Sequence, residues 1–432
     1  MKVLRTRAGK EEFRAGKLLG KGGQGEVYRV EVGGRALAMK WYQPEAATRD
    51  QEQRIGKLIQ RGAPSEAFLW PLDLVEDTGG GGGFGYLMAL RPKGFVSLVE
   101  LMTGRVDPSF QVIIRAAMNL ANGFLELHAK GLCYGDISFG NIFFDAIGGE
   151  IRICDNDNVV VDGSKKISVV GTPRFMAPEI VRGESLPNSD TDRYSLAVLL
   201  FYLLMVHHPL EGQREQEIHC FDLPAMERLY GFEPLFIFDS KDDRNRPKAG
   251  SQDRVKLYWE LYTEKIRELF VQSFTKGLRD PRSGRVRESE WRKALSELED
   301  SVMDCSCGAE LFYDLQALRA HGERPSCWHC RKTSEIPSRM KVGERVVILR
   351  EGGALYEDHL LRYPKNLTRS KPWASIEQSK RGKWELKNCM KCSWRVHPHQ
   401  GVSREIAPGA SLLLEEGMRV DFGEVSGAIR LT

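Results

Sequence analysis

One segment, residues 128–179, most constrains what this chain can fold into, because it spaces two acids and an amide around a short apolar strand. The amide follows the first acid by five residues, and the second acid ends the strand. The segment holds, in chain order, Tyr134-Gly135-Asp136, Asn141, the strand 151–154, Asp155 and Gly171-Thr172 with the ending Ala177-Pro178-Glu179. We expect the residues before it to hold a ligand for these side chains and the residues after it to support them.

Composition indicates an ordinary globular chain. Its 432 residues, 41% apolar and 28% charged, predict two or three domains. A net charge of +4 is too small to imply a nucleic-acid or membrane surface. The start lacks an apolar core of signal-peptide length, and the longest apolar run, residues 196–206, is too short to span a bilayer. We therefore expect a cytoplasmic protein that binds neither nucleic acid nor a membrane.

Residues 17–43 predict a glycine-broken β-hairpin and a following strand that ends in a lysine. Gly20, Gly22 and Gly25 carry no Cβ atoms, so backbone amides there can approach a triphosphate, and Val27 would then cover an adenine ring. Glycine-rich turns are also common in plain hairpins. Lys40, fifteen residues after Gly25 on the next strand, favours nucleotide binding.

A helix is predicted over residues 45–60. Its apolar periodicity places Glu52, Ile55 and Ile59 on one face. Glu52 is the predicted partner of Lys40. A solvated helix charge is the plain alternative, and two other acids could take the role, Glu45 and Glu66.

Together these motifs resemble a eukaryotic-type serine/threonine protein kinase of the diverged kind found in bacteria, over residues of about 15–300. The matching positions follow the family order: the glycine loop, Lys40, Asp136, Asn141, Asp155, Gly171-Thr172, Ala177-Pro178-Glu179, Asp192 and Arg285. The resemblance implies an α+β fold with two lobes, a first of about residues 15–90 and a second of about residues 91–300. It also implies ATP, Mg²⁺ and a protein substrate with a serine or threonine acceptor.

The resemblance assigns a role to each matching residue. Lys40 would hold the α- and β-phosphates of ATP, and Asp136 would accept the proton of the substrate hydroxyl. Asn141 and Asp155 would bind Mg²⁺. The adenine pocket would be formed by Val27, Ala38, the gatekeeper Met88 and the backbone of Ala89 and Leu90. Two structural ties are expected: Glu179 with Arg285, and Asp192 with backbone amides of the catalytic loop.

Four positions depart from the family pattern. Gly135 replaces the arginine that usually receives an activation-segment phosphate, and Ser138 replaces a lysine near the transferred phosphate. Asp155-Asn156-Asp157 keeps the magnesium acid but lacks the glycine and the hydrophobic residue of the usual Asp-Phe-Gly. With no arginine at position 135, phosphates on the candidate acceptors Ser164 and Ser168 would have at most a modest effect on activity.

Two alternatives stay open at this point. A pseudokinase scaffold would bind nucleotide without transferring phosphate, and a small-molecule phosphotransferase of the aminoglycoside-kinase type also tolerates a non-lysine after the catalytic acid. The segment from Gly171-Thr172-Pro173 to Glu179 builds a protein-substrate platform in the family and favours protein acceptors, with Thr172 indicating serine or threonine.

Beyond residue 300 the composition changes. Cys305, Cys307, Cys327 and Cys330 form two pairs separated by nineteen residues, which predicts a zinc-ribbon-like module over residues 301–340 with four thiolate ligands. Cys389 and Cys392 form a further pair that His397 or His399 could complete, although ordinary strand cysteines would explain it as well.

Residues 341–432 show strand patterns alternating with glycine turns and predict a β-sandwich. Its last strands resemble those of a forkhead-associated domain. The Gly-Arg pair and Ser-x-x-His with which such domains hold phosphothreonine are absent, and Glu351 would repel a phosphate. We therefore expect a module that binds a protein partner, or the chain's own kinase domain, independently of phosphorylation, with Trp373, Trp384 and Trp394 in its core or at its interface.

Overall fold

The computed structural model describes residues 3–79, 82–163, 172–322, 324–364 and 368–432. Its first layer is a seven-stranded antiparallel sheet with strand order β2-β1-β6-β7-β5-β4-β3. The strands are β1 (Val3–Thr6), β2 (Glu12–Arg14), β3 (Leu18–Lys21), β4 (Gly25–Val32), β5 (Arg35–Tyr42), β6 (Asp73–Asp77) and β7 (Phe84–Ala89). The predicted glycine hairpin is confirmed as β3–β4. The sheet also begins earlier than the first lobe predicted from about residue 15, because β1 and β2 extend it.

Helix α1 (Arg49–Arg61) packs against one face of this sheet. Thr48 caps it by accepting from the backbone N–H of Gln51. The buried stripe of α1 is Gln51, Ile55 and Leu58, at positions i, i+4 and i+7. The buried face of α1 thus differs from the predicted face by one residue, and Gln51 rather than Glu52 is buried.

The second lobe is mostly helical and contains the largest apolar core. Its helices are α2 (Leu98–Met102), α3 (Phe110–Ala129), α4 (Pro178–Val181), α5 (Ser189–Met205), α6 (Gln213–Gln216), α7 (Leu223–Glu227), α8 (Asp253–Leu261), α9 (Glu264–Phe274), α10 (Lys276–Arg279) and α11 (Glu288–Asp300). Fourteen of the seventeen residues of α5 are buried, so this helix forms the centre of the lobe. Among the described residues, none of the helices is both long enough and apolar enough to cross a membrane.

Five short strands belong to the second lobe, one before α2 and four after α3. They are β8 (Phe95–Ser97), β9 (Leu132–Cys133), β10 (Ile142–Asp145), β11 (Ile151–Ile153) and β12 (Val160–Val161). β10 pairs with both β8 and β11, and β9 pairs with β12. The catalytic-loop residues 134–141 leave β9, and Asp155 follows β11. The two predicted acids are therefore held at the ends of paired strands.

After α11 the chain forms a small hairpin, β13 (Val302–Asp304) with β14 (Glu310–Phe312), followed by α12 (Leu315–His321). Two antiparallel sheets follow, of six and four strands. Their elements are β15 (Arg339–Val342), β16 (Arg345–Ile348), β17 (Ala354–Leu355), α13 (Glu357–Leu360), β18 (Ala374–Gln378), β19 (Trp384–Asn388), β20 (Trp394–His397), β21 (Arg404–Ile406), β22 (Ser411–Leu413), β23 (Arg419–Asp421) and β24 (Ser426–Arg430). Side chains of both sheets form one core around Trp394, while Trp373 and Trp384 are partly buried at its edge.

A buried charge network joins these sheets to the helical lobe. Arg369 donates to Glu299, Asp300 and Asp358 at 2.8–2.9 Å. Arg115 of α3 donates to Glu299 at 2.5 Å and to the hydroxyl of Tyr356 at 2.7 Å. The C-terminal module therefore contacts the chain's own helical lobe directly.

Candidate functional site

A carboxylate of α5 holds the predicted catalytic loop, residues 134–141, through hydrogen bonds to its backbone. Asp192 accepts from the backbone N–H of Tyr134 at 2.6 Å and of Gly135 at 3.3 Å, which confirms the predicted tie. The imidazole of His128, at the end of α3, lies 3.1 Å from Asp192 and 2.6 Å from Glu288 of α11. Burial disfavours the charged imidazole, but the bonds to both carboxylates outweigh it and raise the pKa of His128 to about 9. A buried cation thus ties three helices to the loop.

Gly135 occupies the position of the arginine in the kinase pattern. The backbone conformation explains why this residue is a glycine. Its φ is +75°, a left-handed value that side chains other than glycine rarely adopt. A Cβ atom there would also lie 3.4 Å from Pro187. This loop is therefore built around glycine at this position, and an arginine would be strained.

Asp136 and Asn141 face each other across the catalytic loop. Asn141 Nδ2 donates to the backbone carbonyl of Asp136 at 2.8 Å, and this bond does not use the amide oxygen of Asn141. Burial raises the pKa of Asp136, with further contributions from Asp155 and Asp157; Lys40 and a bond from Asn158 oppose the shift.

Asp155 adopts a left-handed conformation, with φ of 53°, two residues after the end of β11. Its side chain is 41% exposed, and one carboxylate oxygen lies 3.4 Å from Lys40 Nζ. This open carboxylate and the amide oxygen of Asn141 are the donor type that Mg²⁺ prefers, so both predicted residues fit that ion.

Lys40 has a different partner from the predicted one. Its Nζ donates to Asp157 Oδ2 at 2.8 Å, and the Asp157 side chain is completely buried. Glu52 instead forms an ion pair with Arg7, which follows β1. The prediction that Glu52 pairs with Lys40 is thus wrong for this structure. The reasons are the turned face of α1 and the additional hairpin β1–β2, which supplies a cation on the outer side.

The side chains predicted to contact adenine are apolar and belong to one cluster. Ala38 of β5 and Met88 of β7 are paired across the sheet, and both are buried. They share one apolar cluster with Val27 and Leu90. Ala89 is exposed at the end of β7. The apolar side chains named from the sequence therefore lie together on the sheet of the first lobe.

The glycines of the hairpin differ in their surroundings. A Cβ atom on Gly25 would lie 2.3 Å from the carbonyl oxygen of Trp41, so this position requires glycine for the packing of β4 on β5. Gly20 has open space around it, and a Cβ on Gly22 would meet only the carbonyl of Gly25 at 4.0 Å. The tip around Gly20 therefore has room for a ligand, while the N–H of Gly22 donates to the carbonyl of Gly25 at 2.9 Å.

Residues 172–179 are held against α5 and the end of the lobe. Ser195 donates to the carbonyl of Phe175 at 2.7 Å, and the His208 ring lies 2.9 Å from the carbonyl of Arg174. Glu179 accepts two bonds from Arg285, both at 2.8 Å, so the predicted buried tie is confirmed. Gly171 and the two candidate acceptors Ser164 and Ser168 lie outside the described residues.

The four C-terminal cysteines converge on one point, as their spacing predicts. All four sulfur atoms lie within 4.8 Å of one another, with 3.7 Å between Cys305 and Cys330 and 3.6 Å between Cys307 and Cys327. Sulfur atoms at about 2.3 Å from a tetrahedral zinc ion lie about 3.8 Å apart, so the cluster fits that ion. Cys389 and Cys392 are both exposed. Within the described residues, no second group of three or more His, Cys, Asp or Glu ligands was found.

Comparison with known proteins finds similarity to protein kinases. Residues 88–268 match the family model of the protein kinase domain. Protein kinase YegI of Escherichia coli (strain K12) is 22% identical over 320 residues, which cover 69% of this chain and 46% of that protein. Protein kinase C delta type of Mus musculus is 28% identical over 225 residues, 49% of this chain and 32% of that protein.

A putative protein kinase C delta type homolog of Drosophila melanogaster is 34% identical over a shorter stretch of 112 residues, 24% of this chain and 16% of that protein. The chain thus spans less than half of the length of each of these relatives. The family match begins at Met88, so β1–β6 and Lys40 precede it. The residues that match the family model include Asp136, Asn141 and Asp155.

Proposed function

We propose that this chain is a serine/threonine protein kinase that transfers the γ-phosphoryl group of ATP to a protein hydroxyl with Mg²⁺. One observation carries the proposal: the lysine of the first lobe and the acid of the catalytic loop belong to one connected polar site. Lys40 contacts Asp155 and Asp157, and Asn158 of the same turn donates to Asp136 at 3.1 Å. The three acids and one lysine leave the site negative, which suits a divalent cation.

Each residue has a role that its position supports. Lys40 would hold the α- and β-phosphates, and Val27, Ala38, Met88 and the backbone of Ala89 and Leu90 would hold adenine. Mg²⁺, bound by Asn141 and Asp155, would neutralise charge on the phosphates. Asp136 would orient the substrate hydroxyl and accept its proton. Positioning and charge neutralisation are the main contributions to catalysis of phosphoryl transfer, so these residues would suffice without a covalent intermediate.

The departures at Gly135 and Ser138 bear on regulation and rate. With no arginine at position 135, this loop has no cation there to receive a phosphate, and the buried His128 with Asp192 and Glu288 holds the loop instead. We therefore propose a kinase whose catalytic loop is ordered without activation-segment phosphorylation.

The acceptor class can be tested directly. Purified protein with radiolabelled ATP and Mg²⁺ is offered generic protein substrates and, separately, small-molecule alcohols and aminoglycosides. We expect phosphate on protein, recovered as phosphoserine or phosphothreonine after acid hydrolysis. Phosphate found on small molecules alone, or on tyrosine alone, would contradict the proposed class, and nucleotide binding without transfer would favour a pseudokinase scaffold.

The C-terminal modules are proposed to serve interaction rather than catalysis. Zinc on the four cysteines would stabilise residues 301–340. Residues 341–432 would form a β-sandwich that binds a protein partner rather than a membrane or nucleic acid. The likeness of its last strands to a forkhead-associated domain is part of this proposal, without phosphothreonine recognition. Titration of the full chain with phosphothreonine peptide libraries tests it, and a specific micromolar binder, about 8 kcal/mol, would overturn it. A cytoplasmic location is part of the same proposal.

A further inference from the structure

Three polar residues directly after Asp155 are buried in the middle of the site. Asn156, Asp157 and Asn158 form a 3₁₀ turn, and their residue exposures are 0%, 0% and 8%. Apolar residues flank them, with Ile153 before the turn and Val159 after it, both completely buried. Burying polar side chains costs free energy unless hydrogen bonds compensate. Each of the three makes such a bond, and each bond reaches a different part of the site.

Asn156 fixes the turn itself. Its Nδ2 donates to the carbonyls of Leu69 and Ile153, each at 2.9 Å. Leu69 lies just before β6 of the first lobe, and its own N–H donates to Ile153 at 2.9 Å. The turn is therefore anchored both to β11 and to the segment that enters the first lobe.

Asp157 holds Lys40. Its Oδ2 accepts from Lys40 at 2.8 Å and from the hydroxyl of Tyr42, two residues further along β5. Gln51 of α1 donates to that same hydroxyl at 3.0 Å. The contact of Lys40 with Asp155 is longer, 3.4 Å, and Asp155 is partly exposed. Because a charge pair is stronger in a buried site, Asp157 is the main partner of the lysine.

Asn158 holds the acid of the catalytic loop. Its Nδ2 donates to Asp136 Oδ2 at 3.1 Å. This bond constrains the rotation of the carboxylate and engages one of its two oxygens. A donor at this place thus orients the group that would accept the proton of the substrate hydroxyl.

We infer that Asp157 and Asn158 are positioning residues for the phosphoryl transfer proposed above, Asp157 by placing Lys40 and Asn158 by placing Asp136. The inference rests on the proposed function. In this chain a single turn between the lobes takes over the placement of the lysine that the sequence assigned to a glutamate of α1. Helix α1 contributes through Gln51, which donates to the hydroxyl of Tyr42 on β5.

The first test compares two replacements of Asp157 with wild type in steady-state kinetics on a protein substrate. Asp157→Asn keeps the shape and removes the charge, whereas Asp157→Ala removes both. A charge role predicts that both raise KM for ATP at least tenfold and to similar extents. Glu52→Gln is the matched comparison and should change KM less than threefold. A normal KM in Asp157→Asn, or a larger effect of Glu52→Gln, would overturn the inference.

Tyr42→Phe keeps this test decisive if the Asp157 variants do not fold. It removes one hydrogen bond to Asp157 and leaves the charge in place. We expect a threefold to tenfold rise in KM for ATP, and an unchanged KM would contradict the role of Asp157.

The Mg²⁺ concentration for half-maximal activity is measured for the same variants. It should stay within twofold of wild type, whereas a rise matching the change in KM would mark Asp157 as a metal ligand instead.

For Asn158, the variant that keeps the shape of the side chain is expected to be more harmful than the variant that removes it. Asn158→Asp keeps the shape but replaces the donor by a second carboxylate facing Asp136, and Asn158→Ala only removes the donor. A positioning donor predicts a fall in kcat of about tenfold in Asn158→Ala and a larger fall in Asn158→Asp, with KM for ATP unchanged in both. The opposite order, with Asn158→Asp the more active, would show that Asn158 only fills space.

These outcomes are separable from failure of the proposed function. If the wild-type protein transfers no phosphate to any acceptor, the proposed function itself is wrong. If wild type is active and the variants of Asp157 and Asn158 behave like it, the kinase assignment stands and only the positioning role is refuted.

Discussion

Arg369 of the C-terminal module donates to Asp300 of α11 at 2.8 Å, with both side chains at most 4% exposed. The same guanidinium reaches Glu299 and Asp358, and Arg345 adds a second cation to Asp300. Burial would raise the pKa of Asp300, but Arg345 and Arg369 outweigh it and hold that pKa well below its usual range. Asp300 thus stays charged because the module's arginines face it.

Replacing Arg369 by leucine should destabilise the chain by about 3–5 kcal/mol, because it leaves buried carboxylates without their main cation. Urea unfolding followed by far-UV circular dichroism measures the change. Arg395→Leu is the matched control on the same module, since Arg395 is 61% exposed and lies 3.7 Å from Glu405. It should cost about 1 kcal/mol or less. Equal costs for the two variants would show that the buried network does not hold the module in place.

The raised pKa of His128 predicts a pH dependence with a definite sign. The folded value is about 9 and the ordinary value 6.5, so the contribution to stability is complete below pH 6.5 and is lost as pH rises through 9. The urea midpoint of wild type should fall over this range more steeply than that of His128→Gln, which does not titrate. Parallel slopes for the two proteins would mean that the imidazole is uncharged in the fold.

The cysteine cluster predicts one zinc ion per chain. Elemental analysis should find one equivalent, and Cys327→Ser should lose it together with the local order of residues 301–340, because the structural site supplies folding free energy. Cys389→Ser should keep the metal, since Cys389 is exposed and outside the cluster. Two equivalents in wild type would instead implicate Cys389 and Cys392.

Activation-segment phosphorylation should matter little. Gly135 supplies no cation to a phosphate, and its left-handed φ of +75° disfavours an arginine there. We expect Ser164→Ala and Ser168→Ala to reduce kcat/KM by far less than a hundredfold. A loss beyond a hundredfold, about 3 kcal/mol, would contradict this.

Local spacing predicted much of the site, and tertiary context decided the rest. The tie of Glu179 to Arg285, the support of the loop by Asp192 and the convergence of four cysteines follow from motif order, and the structure confirms them. The partner of Lys40 could not be read in this way. It depends on Arg7 reaching Glu52 from an additional hairpin and on the orientation of α1, both of which are set by packing.

The sequence contains one signal that predicts burial of Asp157 and Asn158. Asn156-Asp157-Asn158 lies between the apolar strand ending at Ile153 and the apolar run Val159-Val160-Val161. Three polar residues between two buried stretches are expected to be buried and hydrogen-bonded themselves. The resemblance to Asp-Phe-Gly instead indicates, for Asn156 and Asp157, only that a hydrophobic residue and a glycine are missing.

The central claim is phosphoryl transfer through Asp136, and the most direct test is incorporation of radiolabelled γ-phosphate into a protein substrate by wild type and by Asp136→Ala, both with Mg²⁺. The account predicts transfer by wild type and a loss of at least a hundredfold in Asp136→Ala with ATP binding retained, since general-base catalysis contributes about 10²–10⁴-fold. Equal incorporation by the two proteins, or none by either across a broad panel of substrates, would contradict it.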